Sequence, residues 1–94
     1  MRILVTNDDG VLSPGLEALV RSLSALGTVT VVAPDRERSA VGHSLTLHSP
    51  LRVDQLRPEF YAVDGTPTYC INLALHWFMA HRPNIVVSGI YRGG

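Results

Sequence analysis

Residues 1–10 read M-R-I-L-V-T-N-D-D-G, an apolar run that ends in two adjacent acidic side chains. The run Ile3-Leu4-Val5 is typical of a strand buried on both faces, and we predict a strand over residues 2–7. In open α/β sheets, ligands bind just outside the carboxyl ends of the strands. Asp8 and Asp9 fall at such an end, where Gly10 permits the backbone to turn. These ten residues therefore predict a ligand site at the mouth of an α/β sheet.

The segment that follows predicts a helix and a second strand. Ser13 and Pro14 have the chemistry of a helix start, and leucine and valine recur at helical spacing as far as residue 26. Gly27 is a suitable C-terminal stop. Residues 29–33 then form a second apolar strand. Strand, helix and strand in this order indicate a βαβ unit with parallel strands.

The remaining sequence predicts a larger sheet of the same type. Short strands are expected at residues 51–53 and 60–63, as a hairpin or an edge of the sheet, and a last strand at residues 85–90. A helix over residues 67–80 is apolar nearly all round, so we expect it to be buried by a partner or by further chain. The fold class is therefore α/β: a Rossmann-like three-layer α/β/α arrangement with a mostly parallel sheet. Because the chain stops just after the last strand, we expect residues 1–94 to be one incomplete domain, truncated there.

Composition narrows the function classes. The chain has 94 residues, is 46% apolar and carries no formal net charge, so neither a nucleic acid polymer nor an anionic membrane is an expected partner. A single cysteine excludes an internal disulfide, and no signal peptide or membrane span is recognisable, which makes a cytoplasmic protein the default expectation. All eight basic residues are arginine. The absence of lysine excludes a phosphorylatable receiver domain, a haloacid-dehalogenase-like phosphatase and a P-loop NTPase.

The paired acids predict a metal site. Two carboxylates at one strand end repel each other, and hard cations such as Mg²⁺ or Mn²⁺ bind oxygen ligands of this kind. The alternative for Asp8 and Asp9 is an ordinary turn in which Asp9 bonds local amides. Ser39 lies in the polar loop after the second strand, and because neighbouring parallel strands place their C-terminal loops side by side, its hydroxyl could reach a metal or a phosphate. A solvated loop serine is the alternative there.

A second helix start offers a further anion contact. Thr66-Pro67 follows Gly65, and free amides at a helix N-terminus favour anions. Simple capping by Thr66 is sufficient to explain the same residues.

Five strings, taken together, resemble the N-terminal part of the SurE family, the stationary-phase survival proteins. They are V-T-N-D-D-G (5–10), V-V-A-P-D-R-E-R-S-A (31–40), S-L-T-L (44–47), G-T-P (65–67) and I-V-V-S-G-I (85–90). The resemblance covers essentially the whole chain, and the combination of strings is far more specific than any one of them.

The resemblance implies a metal-dependent phosphatase that hydrolyses nucleoside 5′-monophosphates, and in some members 3′-nucleotides or short polyphosphate. It implies a divalent ion, Mg²⁺ or Mn²⁺, bound by Asp8, Asp9 and Ser39, with the two acids as the catalytic residues. Asn7, Ser39 and Thr66 are then the expected contacts to substrate. Full-length members form homo-oligomers through a C-terminal portion, so a homo-oligomer is the expected assembly.

Two positions depart from the family pattern. The family reads S-G-x-N after the last strand, whereas this chain has Ser88-Gly89-Ile90-Tyr91, so Tyr91 stands where the fourth metal ligand, an asparagine, is expected. Tyr69 replaces an aspartate before Cys70. The alternative prediction is therefore a truncated, catalytically impaired fragment that acts as a binding or assembly module.

Overall fold

The computed structural model describes residues 1–36, 52–79 and 81–89. Its elements, in chain order, are β1 (Arg2–Thr6), α1 (Pro14–Ser24), β2 (Thr28–Pro34), β3 (Val53–Arg57), β4 (Phe60–Val63), α2 (Pro67–Leu73), a π-helical turn (Ala74–Phe78) and β5 (Ile85–Ser88). Within these ranges, no helix is both long enough and apolar enough to cross a membrane.

The strands form one mostly parallel sheet in the order β3-β4-β2-β1-β5. β1 lies between β2 and β5 and is parallel to both, and β2 is parallel to β4. Among the described strands, only β3 is antiparallel, because it forms a hairpin with β4 at the edge of the sheet. The predicted βαβ unit and mostly parallel sheet are confirmed, and the hairpin is the edge of the sheet.

Helices cover both faces of the sheet. Ile3 and Val5 pack in a cluster with Leu16 of α1, whereas Leu4 packs in a second cluster with Cys70 and with Ala74 of the π-helical turn. This division follows from the alternation of side chains along a strand. The three-layer arrangement is therefore confirmed, and it places β1 in the middle layer with both faces buried.

The structure corrects several expected boundaries. The first strand of the hairpin is Val53–Arg57 rather than residues 51–53, and all five of its residues are exposed because it lies at the edge of the sheet. β1 ends at Thr6, one residue earlier than expected, because Asn7 already turns away from the ladder. β5 is assigned at Ile85–Ser88, and residue 90 lies outside the described ranges.

The second helix differs most from its prediction. A continuous helix was expected over residues 67–80, but the α-helical part ends at Leu73 and a π-helical turn follows. Cys70 and Ala74 are buried, while Leu75 and Trp77 are exposed, Trp77 by 78%. The sheet of this chain covers one side of the segment, and burial of the other side by a partner or by further chain stays a prediction.

Gly27 has a different role from the one expected. α1 ends at Ser24 with Ala25 as its C-cap, and Leu26, expected on the apolar stripe, is exposed. A Cβ added at Gly27 would collide with the carbonyl oxygen of Met1, which accepts a 2.8 Å hydrogen bond from the amide of Thr28. Glycine is therefore required here by the close approach of β1, at the point where it begins to pair with β2.

Substitution of two glycines by alanine should have opposite effects on stability. Gly27→Ala should lower the free energy of unfolding by about 1–3 kcal/mol, because backbone atoms must move to admit the methyl group. Gly15→Ala, in the first turn of α1, should leave it unchanged or raise it by up to about 1 kcal/mol through helix propensity. Urea unfolding followed by circular dichroism measures both, and equal effects of the two substitutions would contradict this account.

Candidate functional site

The turn after β1 is organised by the side chain of Asn7. Asn7 is fully buried, and its amide nitrogen donates to the carbonyl oxygen of Gly10 at 2.9 Å and to Oγ of Ser13 at 3.1 Å. Its amide oxygen accepts from the backbone N–H of Gly10 at 3.2 Å. Each polar atom of this buried side chain is therefore hydrogen-bonded, as burial requires. Asp8 and Asp9 lie inside the loop that Asn7 closes.

The same hydrogen bonds join the turn to α1. Ser13 is the N-cap of α1, and its Oγ accepts from the backbone N–H of Leu16 at 3.2 Å while it also accepts from Asn7. The helix start predicted from Ser13 and Pro14 is thus confirmed. Because Leu16 is fully buried against the sheet, the helix fixes the far end of the turn.

The backbone of Gly10 permits this path. Its φ is 109°, a conformation that residues with a Cβ rarely adopt. The next residue, Val11, donates from its backbone N–H to the carbonyl oxygen of Pro34 at 2.7 Å. The turn after β1 is therefore attached to the carboxyl end of β2.

A cavity of about 380 Å³ opens where these loops meet. It is lined by Asp9, Gly10, Leu12, Ser13 and Pro14 from the turn and α1, and by Asp35 and Arg36 from the end of β2. Its size falls within the roughly 300–1,000 Å³ range of small-molecule sites. Acidic Asp9 and basic Arg36 thus face one space at the carboxyl end of the sheet, where ligands bind in open α/β folds.

Asp8 has an unsatisfied carboxylate oxygen. Its Oδ1 is buried and has no hydrogen-bond partner among the described residues. A buried acceptor without a partner costs about 1–3 kcal/mol, more for a charged group, and contact with a cation or a water offsets that cost. Together with the neighbouring carboxylate of Asp9, it offers the hard oxygen donors that Mg²⁺ and Mn²⁺ prefer. The residues present therefore fit a divalent ion.

The other expected ligands lie outside the described residues. Ser39 and Tyr91 belong to the undescribed ranges, so their predicted relation to Asp8 and Asp9 stays a prediction. Within the described ranges, no group of three or more histidine, cysteine, aspartate or glutamate residues could hold a metal. The two acids are thus the part of the predicted ligand set for which the structure gives a geometry.

Two residues predicted to contact substrate have hydrogen bonds within the fold. Thr66 is the N-cap of α2, and its hydroxyl accepts from the backbone N–H of Tyr69 at 3.2 Å. Asn7 is fully buried and holds the turn. These contacts give both residues a structural role, and contact with substrate stays a prediction for each.

Sequence reasoning missed three contributors to the site. Ser13 is predicted only as a helix cap, and Asp35 and Arg36 are not among the predicted site residues. The position of Asp35 and Arg36 directly after β2 was the sequence signal for a place in the site, since residues that follow neighbouring parallel strands meet at one edge of the sheet.

Comparisons with known proteins identify the family of this chain. A family model described as survival protein SurE matches residues 3–94. The chain belongs to the SurE family. It is 65% identical over 94 residues to a protein of Geobacter sulfurreducens named 5′-nucleotidase SurE, and 63% identical over 93 residues to one of the same name from Pelobacter propionicus. These alignments cover 100% and 99% of this chain, but 36% and 38% of those relatives.

A solved SurE structure has the same fold. The crystal structure of the SurE protein from Aquifex aeolicus superposes with a TM-score of 0.91 at 46% sequence identity, covering 100% of this chain and 39% of that one. The chain therefore spans little more than a third of the length of its SurE relatives. It contains β1 and β2, and residues that follow the carboxyl ends of these two strands line the cavity.

The Asn7 hydrogen bonds should be important for stability. Asn7→Ala removes three hydrogen bonds in a buried turn, and we expect a loss of about 2–3 kcal/mol in the free energy of unfolding. Ser24→Ala, which removes only the exposed bond from its Oγ to the carbonyl oxygen of Val20, should change it by less than about 0.5 kcal/mol. Chemical denaturation of the two variants checks this expectation, which fails if Asn7→Ala is as mild as Ser24→Ala.

Proposed function

We propose that this chain carries the metal-binding half of a phosphatase site that hydrolyses nucleoside 5′-monophosphates. The observation that carries the proposal is the buried, unpartnered carboxylate oxygen of Asp8, next to Asp9, at the carboxyl end of a parallel sheet in a SurE-family chain. The name 5′-nucleotidase, which the curated relatives bear, supports the choice of substrate. Members that also act on 3′-nucleotides or short polyphosphate make those esters secondary candidates.

The carboxylates of Asp8 and Asp9 hold one Mg²⁺ or Mn²⁺ ion, and the hydroxyl of Ser39 is the third proposed ligand from this chain. When bound, the ion supplies positive charge that polarises the phosphoryl group and lowers the pKa of a bound water. The chain's own contribution is placement, since phosphoryl transfer depends mainly on positioning and charge neutralisation. The turn closed by Asn7 keeps the two acids at the carboxyl end of β1, and no covalent nucleophile is required.

Arg36 is the residue of this chain that we assign to attraction of the phosphate. It is exposed, lines the same cavity as Asp9, and lies 3.7 Å from a carboxylate oxygen of Asp35 through its Nε. An arginine in this position offers two parallel donors to a phosphate. The negative charge of Asp35 limits how strongly Arg36 attracts anions when the metal is absent.

Substitution of the paired acids tests the proposal. Asp8→Asn and Asp9→Asn should each weaken Mn²⁺ binding by more than about 100-fold, beyond the 10- to 100-fold loss typical of residues that only orient ligands. Asp54→Asn is the matched control, because Asp54 is an exposed carboxylate on the edge strand β3. Isothermal titration with Mn²⁺ gives the affinities, and hydrolysis of AMP and p-nitrophenyl phosphate gives the activity. Wild-type affinity in the Asp8→Asn variant would refute the assignment.

Tyr91 provides a second test of the same site. We expect Tyr91→Asn to raise both Mn²⁺ affinity and AMP hydrolysis, because a compact amide oxygen replaces a phenol at the proposed fourth ligand position. Tyr69→Phe is the control, since it changes a tyrosine that is not a proposed metal ligand. If Tyr91→Asn leaves metal affinity and turnover unchanged, position 91 is not part of the metal site.

Assembly is the second candidate function, and exposed apolar side chains favour it. Leu75 and Trp77 follow α2, and Val86 of β5 is 46% exposed on the face of the sheet that α2 covers. We propose that these residues contact a second copy of the chain, in line with the homo-oligomers of the family. We also propose a cytoplasmic location. Light scattering should show self-association that Trp77→Ser reduces and Leu26→Ser, a change of an exposed apolar residue elsewhere on the surface, does not. A monomer at all concentrations would contradict it.

A further inference from the structure

Two side-chain oxygens near the end of β1 are buried without a hydrogen-bond partner. They are Oγ1 of Thr6 and Oδ1 of Asp8, and the described residues contain no other buried side-chain nitrogen or oxygen in this state. Thr6 is fully buried. Because buried polar atoms are almost always paired, two exceptions within three residues of chain call for a common cause.

The two atoms are complementary in chemistry and belong to residues that lie close together in the chain. Residues two apart have Cα atoms no more than about 7 Å apart, whatever path the backbone takes. A threonine hydroxyl has one proton to donate, whereas an ionised carboxylate only accepts. A change of side-chain rotamer or a single bridging water would therefore satisfy both atoms at once.

The side chain of Thr6 takes no part in the hydrogen bonds that hold the turn. Thr6 alternates with Val5 and falls on the same face of β1 as Leu4, which packs against the layer containing α2. Asn7, by contrast, bonds to Ser13 at the start of α1. The backbone carbonyl of Thr6 accepts from the N–H of Gly89 at 3.1 Å, so the residue is held on its β5 side as well. The backbone of Thr6 is thus held in place, while its hydroxyl takes no part in the hydrogen bonds around it.

We propose that Thr6 is a positioning residue of the metal site. Both atoms are unpaired in the metal-free chain. In the metal-loaded chain the hydroxyl would donate a hydrogen bond to Oδ1 of Asp8, directly or through one water, and so hold the carboxylate toward the divalent ion. The proposal rests on the proposed function, because it assumes that Asp8 is a metal ligand. Outer partners of this kind commonly change metal affinity by about 10- to 100-fold when they are removed.

The test compares Thr6→Val with Thr6→Ser, with Mn²⁺ alone as the probe. Valine has nearly the shape of threonine without the hydroxyl, and serine keeps the hydroxyl. Thr6→Val should weaken Mn²⁺ binding by about 10- to 100-fold, and Thr6→Ser should retain most of the affinity. In the metal-free protein, the urea midpoint of Thr6→Val should equal or exceed that of the wild type, because the substitution removes a buried unpaired hydroxyl.

Each outcome decides the proposal. Wild-type Mn²⁺ affinity in Thr6→Val overturns it. A lower metal-free urea midpoint in Thr6→Val, without recovery of Mn²⁺ binding in Thr6→Ser, also overturns it, because that result indicates a hydroxyl with a structural role. If the proposed function itself is wrong, the wild-type chain binds no Mn²⁺, or the Asp8→Asn variant binds Mn²⁺ as the wild type does. Either result also refutes the role of Thr6. Weak binding in Thr6→Val, rescue in Thr6→Ser and no loss of metal-free stability support it.

Discussion

Burial of β1 on both faces is the constraint on which the rest of the structure depends. Ile3, Leu4 and Val5 are fully buried, and each contributes about 1.5–3 kcal/mol through loss of contact with water. A strand in this position needs neighbours on both edges and helices on both faces, which β2, β5, α1 and the α2 layer supply. The polar residues that follow the strand are thereby held at the edge of a rigid sheet.

The turn after β1 is attached both to α1 and to β2, which gives the proposed site a defined geometry. Asn7 joins the turn to the N-cap of α1, and Val11 joins it to the end of β2. The two acids between these attachments have little freedom to move away from each other, although their charges repel. A site of this kind is organised before its ligand arrives, so less of the binding free energy is lost in ordering the protein.

The residues that line the cavity come from two segments of the chain. The turn after β1 contributes acidic Asp9, and the end of β2 contributes Asp35 and the basic side chain of Arg36. Opposite charges around one opening suit a ligand that combines a divalent cation with a phosphate anion. Membership of the SurE family and the 5′-nucleotidase names of its relatives agree with such a ligand. The chain spans only 36% of the length of the Geobacter sulfurreducens relative, so the substrate remains part of the proposal.

The sequence by itself determined the α/β class, the βαβ unit, the start of α1 and the position of Asp8 and Asp9 at a strand end. These features depend on apolar periodicity, capping chemistry and chain order, which are local. Tertiary structure alone decided the rest. It ended the regular α-helix at Leu73 and made Gly27 necessary because the backbone of Met1 passes beside it. It also left the hydroxyl of Thr6 buried without a partner. These outcomes depend on which distant segments meet, and no local pattern encodes that.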